Sequence, residues 1–130
     1  MKQVDINHVS PPVIVLKRKS SSVESPDTPT AVIALWKEFK DLFNRRTIRI
    51  DSDSVGYGFV LRGDGPTYVQ TVDPTGPAAH SGLRVGHIIQ TVNGIDVMNM
   101  SHKETAKVIL ARRLGSVTLN VLEPADFKPT

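Results

Sequence analysis

Gly56-Tyr57-Gly58-Phe59, running straight into Val60, Leu61 and Arg62, restricts this chain more than any other stretch. Two glycines around an aromatic, followed by an apolar run, read as a backbone turn feeding a strand, because glycine tolerates positive φ and admits close backbone approach. Such a turn leaves successive N–H groups pointing outward, and successive amides make a concave anion site. Tyr57 and Phe59 add an apolar wall. Two readings stay open on these residues: an ordinary glycine turn opening a strand, or a seat for a carboxylate carried on an apolar group, such as a peptide C-terminus.

A chain of 130 residues with 39% hydrophobic content has room for one domain of about 80–100 residues plus a less structured part. Cysteine is absent, which removes disulfides, thiol catalysis and Cys-based zinc sites and fits a reducing compartment. Apolar runs stay well short of the ~18 residues of a membrane span, and Asp5, Asn7 and His8 replace the apolar core of a signal peptide. The expectation is a soluble, cytoplasmic protein, at most peripheral to a membrane. The net charge of +3 is unevenly placed: residues 1–46 hold eight Lys/Arg against five Asp/Glu, and the remainder holds eight against eight. A neutral domain with few aromatics lacks the basic face that nucleic acid requires.

Residues 1–30 have linker composition, with a short apolar run Val13-Ile14-Val15-Leu16, the basic triplet Lys17-Arg18-Lys19 and serines near prolines. Ser20, Ser21, Ser22, Ser25 and Thr28 are candidate phosphorylation sites on these short patterns. From Thr30, the residues Val32, Leu35, Trp36, Phe39, Leu42 and Phe43 recur at helical spacing, which predicts an amphipathic helix over 31–44, capped by Thr30. Its apolar stripe must meet the following domain, a partner or a membrane surface, and packing on its own domain ranks first. Strands are expected at 47–51, 57–62, 67–72, 87–92 and 117–122, with a very short one at 95–97. Gly76-Pro77-Ala78-Ala79 opens one or two helical turns, and Ser101-His102-Lys103-Glu104 is a capping box that fixes His102 as the first residue of a longer helix ending at Arg112-Arg113.

This ordered set resembles a PDZ domain over residues 47–123. Gly56-Tyr57-Gly58-Phe59 matches the family's carboxylate-binding loop, and the run Gly86 to Gly94 matches the segment written Gly-Asp-x-Ile-x-x-Val-Asn-Gly. The short loop at Gly63-Asp64-Gly65 is similar to PDZ domains of G-protein regulators. The resemblance implies a mainly β fold with two helices, a partly open barrel of five to six strands, preceded by an extension (1–30 linker, 31–46 amphipathic helix) and followed by a tail at 124–130. It further implies that an extended peptide adds to the edge of the second strand, facing the Ser101-capped helix. The peptide site would comprise Gly56, Tyr57, Gly58, Phe59, Val60, Leu61, His102, Ala106 and Ile109, with His102 meeting a Ser or Thr two residues before a terminal aliphatic residue. Arg62 and Lys107 would favour acidic residues further upstream. Two departures stand out: His87 occupies the family's Asp position, and Ser52 stands where many members carry a basic residue, leaving the carboxylate to the amides alone or to Arg49.

The implied partners are C-terminal peptides of other proteins, membrane receptors or signalling proteins among them. Anionic lipid is a rival partner, because basic residues flank the amphipathic helix. Occlusion of the groove by the N-terminal extension is a third possibility, and the chain's own Phe127-Lys128-Pro129-Thr130 is a poor ligand. An enzyme fails on inventory: His8, His80, His87 and His102 are scattered and no Gly-x-Ser-x-Gly or His-Glu-x-x-His motif occurs. No cofactor or metal is expected.

Overall fold

The computed structural model describes residues 13–15, 27–111 and 115–125. In chain order these form β1 (Val13–Val15), α1 (Asp27–Glu38), a 3-10 turn (Lys40–Leu42), β2 (Phe43–Asp51), β3 (Phe59–Gly63), β4 (Thr67–Val72), α2 (Pro77–His80), β5 (Ile88–Val92), β6 (Ile95–Asp96), α3 (His102–Leu110) and β7 (Ser116–Pro124). The strands make one antiparallel sheet in the order β1-β3-β4-β5-β7-β2, with β6 paired to β5.

The longest ladder joins β2 to β7, from Phe43 opposite Pro124 to Asp51 opposite Ser116. Both strands alternate: Ile48 and Ile50 face inward on one, Val117, Leu119 and Val121 on the other, while Arg49 lies on the solvent side. Phe59, Leu61, Val69, Ile89 and Val92 complete the sheet's inner face, and Ala78, Leu83, Val97, Ala106 and Ile109 close over it. Local signals account for the connections. Gly63 turns the β3–β4 hairpin at φ 117, where a Cβ would stand 2.6 Å from the Pro66 carbonyl oxygen. Asn93 and Gly94 both take positive φ between β5 and β6, as a two-residue hairpin turn demands.

The N-terminal helix is real but differently bounded. It starts at Asp27, so Thr30 lies inside it, and it stops at Glu38. Phe39 leaves helical geometry, and Phe43 to Arg46, expected partly on the helix, are drawn into the ladder with β7. Cross-strand pairing there overrides the helical spacing of Leu42 and Phe43. The helix packs by one side only: α1 touches β4, with the Val32 methyl against Gly86, and Val32, Ile33 and Trp36 are half-buried. Leu35, Phe39 and Leu42 remain 41%, 48% and 52% exposed, and the Lys40 ammonium sits 4.8 Å from the Trp36 ring centre. Arg112, Arg113 and Ser20 to Ser25 lie outside the described residues.

His87 ties the turn before β5 to β7. Its Nδ1 accepts from the Arg84 amide at 3.1 Å, which places the ring proton on Nε2, and Nε2–H donates to Glu123 at 2.8 Å. Burial pushes the imidazole below its ordinary 6.5, against the pull of Glu123 and helped by Arg46 and Arg84. The unfolded chain therefore binds more protons as the pH falls through 6.5, so stability that is complete above that value is lost on acidification. The melting temperature should fall as the pH drops below about 6.5, and His87→Asn, which keeps an acceptor for Arg84 and has no group that titrates there, should flatten that fall. A profile identical in both proteins would remove His87 as its cause.

The capping box forms in full: Glu104 N–H donates to Ser101 Oγ at 3.2 Å, and Ser101 N–H donates to Glu104 Oε1 at 2.9 Å. Ser101→Ala should cost about 1 kcal/mol in urea denaturation, because one amide of the first turn loses its acceptor. An unchanged midpoint would mean that tertiary contacts alone define the start of α3.

Candidate functional site

The glycine loop before β3 is organised by its carbonyls. Gly56 O accepts from Asp53 N–H at 3.1 Å, Tyr57 O from Ala78 N–H at 3.0 Å, and Gly58 O from Asp73 N–H at 2.9 Å. In a trans peptide the C=O of one residue and the N–H of the next point in opposite directions. Pinning these three carbonyls toward Asp53, α2 and the end of β4 therefore turns the N–H groups of Tyr57, Gly58 and Phe59 the other way. Gly56 at φ 146 and Gly58 at φ 87 supply the backbone geometry that makes three successive outward amides possible. The Asp53 carboxylate also accepts from the Val55 and Gly56 amides, which fixes the approach to the loop.

Beside this loop the walls are apolar. Tyr57, Phe59, Leu61 and Ile109 are buried, Ala106 nearly so, and the Tyr57 and Phe59 rings stand 6.4 Å apart at a tilt of 54°. Burial raises the Tyr57 phenol above its ordinary value, consistent with its place in the core. One edge of β3 pairs with β4, with a bulge between Val60 and Leu61. Facing β3 is α3, held by two contacts at its start. Thr67 Oγ1 donates to the Met100 carbonyl at 3.2 Å and lies 3.2 Å from the buried Thr105 hydroxyl. His102, only 7% exposed, sets its Nδ1 2.7 Å from the Gly63 carbonyl. Because a carbonyl only accepts, the Nδ1 proton is the donor of this contact.

The nine residues singled out from the sequence thus fall on two facing elements and the loop that joins one of them: Gly56, Tyr57 and Gly58 in the loop, Phe59, Val60 and Leu61 along β3, and His102, Ala106 and Ile109 on α3. Arg49 does not extend this set. It lies on the solvent face of β2 and its guanidinium engages Asp51 at 3.4 Å and Ser116 at 3.1 Å. The second edge of β3 carries what linker composition concealed: β1 pairs along it antiparallel, Val13 opposite Leu61, Ile14 opposite Val60 and Val15 opposite Phe59, and also touches α3. A run of β-branched residues after Pro11-Pro12 was the available signal. Among the described residues no group of His, Asp and Glu could hold a metal ion, and no helix is long and apolar enough to cross a membrane.

The chain is 39% identical over 83 residues to human Rho guanine nucleotide exchange factor 11, covering 64% of the chain and 6% of that protein. It is 31% identical over 110 residues to mouse Rho guanine nucleotide exchange factor 12, covering 85% and 6%. The chain therefore spans a small fraction of the length of these relatives. A PDZ domain from choanoflagellate SHANK1, solved bound to a GIRK3 peptide, superimposes with a TM-score of 0.58 at 28% identity, covering 62% of this chain and 93% of that one. The family model of the PDZ domain matches residues 47–122. The chain belongs to the PDZ family, whose domains are protein–protein interaction modules of signalling and scaffold proteins.

Proposed function

We propose that this domain binds the free C-termini of other proteins, taking the last residues of the partner as a strand on the outer edge of β3 and facing α3. The observation that carries the reading is the trio of amides at Tyr57, Gly58 and Phe59, turned outward by their pinned carbonyls at the mouth of an apolar cleft. Three successive N–H groups turned away from their pinned carbonyls suit a carboxylate, and with Arg49 engaged elsewhere and Ser52 uncharged, they meet that charge themselves. The neighbouring wall of Tyr57, Phe59, Leu61 and Ile109 suits Val, Leu or Ile as the last side chain, worth about 1.5–3 kcal/mol on burial. Along an antiparallel strand whose final residue lies opposite Phe59, the residue two before it lies opposite Leu61, toward the end of β3 where Gly63 holds His102. His102 stands at the position of the family's groove histidine, and the resemblance puts Ser or Thr opposite it. The choanoflagellate SHANK1 PDZ domain is bound to a peptide, which supports a peptide as the ligand here.

A second reading concerns a different surface. Leu35, Phe39 and Leu42 are exposed on a segment that also carries Lys37, Glu38, Lys40 and Asp41, and with Arg45 and Arg46 just beyond it this apolar trio suits a lipid surface. Flotation with vesicles containing phosphatidylserine tests it, and Phe39→Asp should abolish any binding seen.

Calorimetry with peptides ending in Ser/Thr-x-Val should give affinities of micromolar order, and amidating the terminus should remove most of the binding. Equal binding of acid and amide would remove the carboxylate from the reading. His102→Ala should weaken a Thr-bearing peptide by about 0.5–1.5 kcal/mol and leave its Val-substituted analogue nearly unaffected. The coupling term of that double-mutant cycle isolates the contact, and a value of zero in a folded protein would mean that His102 does not read the ligand.

A further inference from the structure

The edge of β3 that a partner would use is already paired. Val13, Ile14 and Val15 lie opposite Leu61, Val60 and Phe59, antiparallel to β3 and in contact with α3. We infer that Val13–Val15 is an intramolecular ligand of the groove, which a partner terminus must displace. This rests on the peptide-binding reading of the same groove and deepens it by naming the competitor.

Two features make β1 a ligand, and what it lacks makes it a displaceable one. Its direction and register are those of a terminal peptide: the residue opposite Phe59 is β-branched and aliphatic, and the residue two before it lies opposite Leu61. Its composition suits the cleft, since Val and Ile favour an extended, half-buried backbone. It lacks the one group that the loop amides favour. Val15 is followed by Leu16 and Lys17, so an uncharged peptide bond stands where a terminal ligand presents its carboxylate. The strand also carries Val13, without a hydroxyl, opposite Leu61, where the proposed terminal ligand carries Ser or Thr. Self-occupation is therefore weaker, contact for contact, than binding of a matched terminus.

Tethering compensates for that weakness. A short linked segment faces its site at an effective concentration of about 1 mM, so an intrinsic affinity of about 100 μM keeps roughly nine-tenths of the grooves filled. The apparent affinity for a partner then falls about tenfold, since only the open fraction binds. A partner that carries the carboxylate and the hydroxyl still wins at moderate concentration, whereas an internal or amidated segment does not. The built-in strand thus sharpens discrimination for true C-termini and covers an otherwise open sheet edge.

The test uses the full chain and its Val13→Pro, Ile14→Pro, Val15→Pro triple variant, which removes every N–H that β1 could donate. The triple variant should bind a Thr-x-Val terminal peptide about tenfold more tightly, and its β3 amides should lose protection from hydrogen exchange. A synthetic peptide of residues 11–19, added to the variant, should restore that protection and compete with the terminal peptide. Equal affinity and equal β3 protection in both proteins would overturn the inference. Circular dichroism and thermal melting establish that the variant is folded, and the added peptide tests the contact in either background. If the terminal peptide binds neither protein while the 11–19 peptide protects β3, the strand contact stands and the reading of the groove as a carboxylate site fails.

Discussion

Three backbone hydrogen bonds, from Asp53 to Gly56, Ala78 to Tyr57 and Asp73 to Gly58, are the constraint on which the rest of this molecule turns. Each satisfies a carbonyl that would otherwise be buried without a partner; the first closes the loop on itself, and the other two join it to α2 and to the end of β4. By planarity of the peptide, satisfying the carbonyls aims the next amides outward. Stability and recognition are therefore the same arrangement seen from two sides: the loop cannot present its amides unless α2 and the end of β4 are in place to hold its carbonyls.

The second wall of the cleft depends on buried polar contacts of a different kind. The Thr67–Thr105 pair and the His102–Gly63 contact tie α3 to β4 and to the end of β3, while Ala106 and Ile109 seat the helix on the core. A helix held by apolar packing alone could slide along the sheet at little cost. Hydrogen bonds between groups largely removed from water resist that, because breaking them strands polar atoms. The capping box then starts the helix at His102 and not a residue earlier or later.

What was legible in the sequence is what short-range chemistry dictates. The glycine loop, the Asn93-Gly94 turn, the capping box and the Gly-Pro start of α2 each depend on residues within a few positions, and each appears where its residues stand. What was not legible depends on pairing across the chain. Phe43 keeps helical spacing with Phe39, yet Pro124 and Glu123 draw Phe43 and Asn44 into a ladder that local spacing cannot reveal. Val13–Val15 reads as linker because three residues carry too little pattern, and only the edge of β3 gives them a partner. The role of His87 needed Glu123, 36 positions away. Of the two alternatives for the carboxylate, the amides alone or Arg49, alternation with Ile48 and Ile50 already puts Arg49 on the solvent face.

The central claim is that the amides of Tyr57, Gly58 and Phe59 receive a partner's terminal carboxylate. Nuclear magnetic resonance titration of the 15N-labelled chain with a Thr-x-Val peptide, as acid and as amide, tests it most directly. The account predicts that the acid moves these three amide protons downfield more than any others in the domain, and that the amide form does not. Shifts of equal size with both peptides, or shifts confined to residues far from the loop such as those of α1, would contradict it.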